Sequence, residues 1–124
     1  MDKIFINNTE FPTLVAVSES EQNQGLMWVK WPPPVMIFPY RSAGIRKFWM
    51  KNTISPLDIV FCNGNSIVDI RKGEPLSTAM IGPDQPVDLV IELPAGTVEQ
   101  HGIKVGQPVQ LVYSPKTAAR FITT

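Results

Sequence analysis

Apolar and polar positions alternate, with β-branched enrichment, in a series of short stretches along the chain. They predict strands over residues 3–7, 13–18, 35–38, 57–62, 66–71, 87–93 and 109–113. Between the fourth and fifth stands Asn63-Gly64-Asn65, a hairpin signal, because Asn and Gly take positive φ at little cost. Helical signals are fewer. Ser18 or Ser20 caps a short helix that runs through Gln24 and stops at Gly25. A second runs from Ala95 to about His101, closed by Gly102. Trp31-Pro32-Pro33-Pro34 is an extended loop, since consecutive prolines fit neither helix nor sheet interior. The tail over 114–124 is polar apart from Phe121 and Ile122 and is expected to be partly loose.

The strand period also assigns faces. If Phe48 to Lys51 is extended, Phe48 and Met50 share one side and Trp49 and Lys51 the other. Over 57–62, Leu57, Ile59 and Phe61 oppose Asp58, Val60 and Cys62; over 88–93, Glu92 lies on the face of Val90. Asp58 and Glu92 are thus carboxylates set into apolar strands, where an unpaired charge is costly. If the two strands are neighbours, both carboxylates and Lys51 converge.

Composition narrows the class. The chain has 124 residues, 44% hydrophobic and 18% charged, which fits one folded domain with a real core. Twelve prolines, about twice the usual share, favour short strands and turns over long helices. Eleven basic residues balance eleven acidic ones, so net charge offers no footprint for nucleic acid or an anionic membrane. Cys62 is the single cysteine and sits in an apolar run, which implies a buried inert thiol and no internal disulfide. The start, Met1-Asp2-Lys3-Ile4-Phe5, has no signal-peptide or membrane-span pattern, so the expected setting is cytoplasmic.

Three kinds of chemistry are open to these residues. Asp58 and Glu92 beside Lys51 would make an acid/base pair; the structural alternative has Asp58 capping amides of the 52–56 turn and Glu92 paired with a lysine or arginine. Trp28, Trp31 and Trp49, with Phe48 and Tyr40, would line an aromatic platform suited to sugars, bases or proline-rich peptides; core packing is the alternative for Trp49. The methionines Met27, Met36, Met50 and Met80 lack a second histidine or a cysteine pair to make a soft-metal site. His101, the only histidine, follows a helical stretch and reads as a solvated C-terminal residue. No phosphate loop, dinucleotide fingerprint or zinc spacing occurs, so no metal and no cofactor are expected.

Gln24-Gly25-Leu26-Met27, Met36-Ile37-Phe38, Phe48-Trp49-Met50-Lys51-Asn52-Thr53 and Pro56-Leu57-Asp58-Ile59-Val60-Phe61 resemble the bacterial and archaeal family known as domain of unknown function 192. Val90-Ile91-Glu92-Leu93 with Ala95-Gly96-Thr97, and Gly102-Ile103 with Gly106, resemble its closing segment, so the likeness spans roughly residues 13 to 113. The chain departs from the family pattern at Trp28-Val29-Lys30, where an arginine is usual, and at Val35, where glycine is usual. The resemblance implies a small β-rich domain with short helices, and many relatives look exported. It implies no reaction, substrate or cofactor.

The expected architecture is therefore a single, mainly β domain over 1–124, a small closed or strongly curved barrel-like sheet with two short helices; a β-sandwich is the alternative. The first functional expectation is a non-catalytic binding module with a groove around residues 49–58. Trp49, Lys51, Asn52 and Asp58 line it and Gln24 and Trp31 stand at the rim, for a saccharide, a nucleotide-like compound or a short peptide. The second is a small hydrolase or lyase using Asp58, Glu92 and Lys51. The third is an adaptor that offers the 31–34 loop to a partner protein.

Overall fold

Seven strands join edge to edge in the computed structural model, which describes residues 1–123. In chain order the elements are β1 (Lys3–Ile6), β2 (Thr9–Val15), α1 (Glu19–Gln24), β3 (Val35–Gly44), β4 (Leu57–Asn63), β5 (Ser66–Gly73), β6 (Val87–Pro94), α2 (Thr97–His101), β7 (Val109–Val112) and α3 (Pro115–Thr123). The strand order is β5-β4-β6-β3-β2-β1-β7. Neighbours are antiparallel except β2 and β3, which run parallel with Thr13 opposite Val35, so α1 and the proline loop form the crossover between them.

The sheet curls into a half-barrel whose two edge strands meet at one end. Ser66 at the start of β5 bridges Pro108, just ahead of β7, and the Val109 amide donates to the Asn65 carbonyl over 2.9 Å. Ile4, Ile6, Ile37, Val60, Ile67 and Val109 come from five different strands yet form one buried cluster, which places them on the concave face. The convex face of the central strands carries a second cluster, in which Phe38, Ile59, Phe61 and Val90 pack under Leu26 and Met50. With both faces covered, β4 is buried from Leu57 to Cys62, and its unbroken apolar run follows from that.

Local sequence accounts for most boundaries. Ser18 and Glu21 form a capping box at the start of α1: the Glu21 amide donates to Ser18 Oγ (3.1 Å) and the Ser18 amide to Glu21 Oε1 (2.9 Å). Gly25, at φ 49°, ends the helix. Gly64 and Asn65, at φ 60° and 64°, turn β4 into β5 as the hairpin signal requires. The first strand is shorter than expected and the second begins earlier, because Asn7 turns at φ 54° and Thr9 to Pro12 pair back onto β1. The third strand continues past Pro39 to Gly44 through a register shift against β6.

Over the described residues most of the tail forms α3, and residue 124 lies outside them. Ser114 caps α3, with Pro115 in the first turn where its missing amide costs nothing. Asp2 accepts from the Ser114 amide (2.8 Å) and from Thr117 Oγ1 (2.7 Å), Arg120 pairs with Glu21 over 2.7 Å, and the Tyr113 and Phe121 rings lie 5.0 Å apart. Two short helices were expected; α3 makes a third. Among the described residues no helix is long and apolar enough to cross a membrane.

Candidate functional site

Glu92 sits in the middle of β6, opposite Met36 of β3 on one side and Ile59 of β4 on the other. Strand alternation puts it on the convex face with Val90, Phe38 and Ile59, under the layer formed by α1 and the 47–53 segment. That segment is fixed at both ends. Phe48 bridges Ile81 through a reciprocal pair of 2.7 Å backbone bonds, the Met50 amide donates to the Ser77 carbonyl over 2.9 Å, and Met50 is fully buried. A turn then brings Asn52 to φ 59°, and its carbonyl accepts from the Trp28 amide over 2.8 Å. The alternation expected of 48–51 follows: Phe48 and Met50 face the sheet, whereas Trp49 and Lys51 face outward.

Between this turn, the end of α1 and the sheet lies a cleft of about 350 Å³. Gln24, Tyr40, Trp49, Lys51, Asn52 and Glu92 supply its polar and aromatic lining. Glu92 is only 4% exposed and has no hydrogen-bond or ion-pair partner among the described residues, so burial pushes its carboxyl up to about 8. Its own strands cannot supply a partner, because their side chains at this level are apolar. Tyr40 is pushed up to about 12, chiefly by burial; the guanidinium of Arg46, 3.9 Å from the ring centre, opposes this and Glu92 adds to it.

The other cleft cations are placed differently. Lys47 Nζ donates to the carbonyls of Gly82 (2.6 Å) and Pro83 (3.0 Å) and to Asp84 Oδ1 (2.7 Å), so its charge is balanced away from Glu92. Lys51 is exposed, with Nζ 5.2 Å from the Trp49 ring centre. Trp49 itself is 43% exposed and offers one face to the cleft mouth. Gln22, by contrast, is structural: its Nε2 donates to the carbonyls of Ala16 (3.0 Å) and Pro39 (3.2 Å) and ties α1 to the sheet.

Of the six residues expected to line a groove, the structure gathers Gln24, Trp49, Lys51 and Asn52 around one cleft and leaves Asp58 and Trp31 outside it. Asp58 lies opposite Leu93, one register step from the Ile59–Glu92 pair, and so leaves the sheet on the other face. There Oδ2 accepts from the amides of Gly96 (3.0 Å), the residue just before α2, and Val98 (2.9 Å) in its first turn. Asp58 is a cap as the structural alternative held, but of α2 and not of the 52–56 turn. The expected convergence of Asp58, Glu92 and Lys51 therefore does not occur, and Glu92 lacks the lysine or arginine partner foreseen for it. Trp31 is 55% exposed and does not line the cleft.

His101 is exposed and meets Phe11 edge-on, with ring centres 5.3 Å apart. Cys62 is buried, and burial followed by the charge of Asp88 pushes its thiol up to about 12. Among the described residues no group of three or more His, Cys, Asp and Glu side chains is placed to hold a metal ion.

The family model for DUF192, an uncharacterized group, matches residues 3–111, from the start of β1 into β7. No curated protein matches the chain significantly. Two solved structures are similar to it. A protein of unknown function from Novosphingobium aromaticivorans DSM 12444 is 28% identical with a TM-score of 0.81, over 87% of this chain and 83% of that one. A protein from Sinorhizobium meliloti 1021, whose description proposes a transcription regulator, is 31% identical with a TM-score of 0.79, over 89% of this chain and 91% of that one.

Proposed function

We propose that this chain, which belongs to the DUF192 family, is a non-catalytic binding module that takes a small hydroxyl-bearing, saccharide-like ligand in the cleft floored by Glu92. The observation that supports this reading is Glu92 itself: a carboxyl 4% exposed, lining an open cleft, with no partner among the described residues. Its carboxyl oxygens are not sealed off but open onto the cleft, so a ligand hydroxyl that reaches the floor meets them directly. Near neutral pH the raised carboxyl is protonated, so it both donates and accepts. Trp49 offers an aromatic face at the mouth, and the Asn52 and Gln24 amides and Lys51 offer directional contacts around it. A volume of about 350 Å³ lies near the lower end of ligand sites, roughly 300 to 1,000 Å³, which fits a single ring.

A hydrolase or lyase built on two carboxylates has less support, because Asp58 is engaged by α2 on the opposite face. An adaptor role for the 31–34 loop rests on the exposure of Trp31 alone. The transcription role proposed for the S. meliloti relative finds no support in charge, since eleven basic and eleven acidic residues leave this chain neutral.

The test is titration of ¹⁵N-labelled protein with a monosaccharide panel. Binding in this cleft moves the Trp49 indole and the Asn52 and Gln24 amide signals together. A panel that leaves them still, or that moves only the 31–34 loop, overturns the reading.

A further inference from the structure

Resting on that reading, we propose that the ligand is an amino sugar, or an amino-alcohol of the same size, whose ammonium group pairs with Glu92 at the floor of the cleft. The groups that face Glu92 carry the argument. From β3 comes Tyr40, and from the 47–53 segment come Lys47 and Lys51. The α1 residues on the cleft, Gln22, Asn23 and Gln24, are uncharged, and β4 contributes Ile59 opposite Glu92. Of the two lysines, Lys47 is held by Gly82, Pro83 and Asp84, and Lys51 stands exposed over Trp49. Arg46 lies on the Tyr40 ring and donates to the Ser42 carbonyl over 2.9 Å. Among the described residues the floor thus has one acid and no cation of its own.

Each ligand chemistry meets that floor differently. A neutral hydroxyl leaves the carboxyl protonated and forms ordinary hydrogen bonds. A carboxylate or phosphate would set a second acid beside the first and would have to share its proton. An ammonium forms charge-assisted bonds, about twice as strong as neutral ones, and supplies the countercharge that burial otherwise denies Glu92. The proton balance follows. The amine arrives as –NH₃⁺, the Glu92 carboxyl gives its proton to solvent, and the N–H···O⁻ pair forms. Binding near neutral pH therefore releases up to one proton.

The probes are glucosamine and glucose, which differ at one substituent. Calorimetry at pH 7 in two buffers of different ionisation enthalpy should show glucosamine binding at least about tenfold tighter than glucose, with proton release. The ¹³Cδ signal of Glu92 should move to its carboxylate position. Glu92→Gln, which keeps the shape and cannot ionise, should fold normally by thermal unfolding and lose the tenfold preference. Glucose binding as tightly as glucosamine, without proton release, overturns the ammonium assignment and leaves the cleft reading standing. Binding by neither overturns both. A preference that survives in Glu92→Gln also overturns the assignment.

Discussion

Asp58 and Glu92 occupy adjacent antiparallel strands one register step apart and leave the sheet on opposite faces. Each is about 5% exposed or less, yet their surroundings divide them. Asp58 is satisfied by two backbone amides, whereas Glu92 has no partner among the described residues. A single sheet thus carries one structural carboxylate and one that awaits a partner. The difference arises from what covers each face: the start of α2 on one, a cleft on the other.

Truncation of Asp58 should destabilise the protein without touching the cleft. Asp58→Ala orphans the Gly96 and Val98 amides and should cost about 1 to 3 kcal/mol in urea unfolding. Asp58→Asn, which still offers an oxygen, should cost less. Ligand-induced shifts at Trp49 should survive in both variants; their loss in a folded Asp58→Asn protein would make Asp58 part of the site.

Glu92 should make stability fall as pH rises across the neutral range. Its folded value of about 8 lies above its ordinary 4.5, so between those values the native state holds a proton that the unfolded state has released. Its contribution is fully present below about 4.5 and lost by about 8, a difference on the order of 3 to 5 kcal/mol. Glu21 works in another window and with the opposite sign. The Arg120 guanidinium and then the Ser18 amide hold it at about 2, so its stabilisation is present above 4.5 and lost as pH falls toward 2. That pair is substantially exposed, and its effect should be small. Glu92→Gln should therefore match the parent near pH 5 and exceed it near pH 8. Parallel stability profiles for the two proteins between those pH values would show that Glu92 is ionised in the native state.

The sequence made some of this legible and hid the rest for identifiable reasons. Ser18, Gly25 and Asn63-Gly64-Asn65 act on their immediate neighbours, so cap and hairpin could be read directly. Alternation likewise put Phe48 and Met50 on one side and Trp49 and Lys51 on the other, without deciding which side is inward. What alternation cannot supply is the register between β4 and β6, and that register alone decides that Ile59 and not Asp58 faces Glu92. The cleft depends on α1, β3, β6 and the 47–53 turn meeting across long separations. The helix over 115–123 did carry a local signal, Ser114 before Pro115, but much of its anchoring comes from Asp2, far away in sequence.

Gly82 should tolerate no side chain. It sits at φ 150°, a region that L residues rarely adopt, and a Cβ there would collide with the Arg46 carbonyl oxygen. The preceding residue, Ile81, forms the bridge that fixes Phe48, and the Gly82 carbonyl accepts from Lys47. Gly82→Ala should cost about 2 to 4 kcal/mol and shift the amide signals of residues 46–50, because relief of the clash must move that wall of the cleft. A fold with unchanged stability and unmoved signals there would show that this wall yields more readily than its hydrogen bonds imply.

Asp2 should control α3 more than it controls the sheet. Its carboxylate takes the Ser114 amide and the Thr117 hydroxyl at the start of the helix, where a negative charge also complements the exposed amides. The helix has further ties, through Arg120 to Glu21, Phe121 to Tyr113 and the Arg41 guanidinium of β3 to the Phe121 carbonyl, but all are made by side chains and none is a backbone rung of the sheet. Asp2→Ala should therefore lower the local opening free energy of α3 by about 1 kcal/mol, roughly a fivefold loss of hydrogen-exchange protection at 118–121. Protection in β4 and β6 should stay as it was, because those strands exchange through global unfolding. A uniform loss across helix and sheet would instead mean that α3 opens only with the whole domain, and that the clasp between the chain ends is part of its cooperative unit.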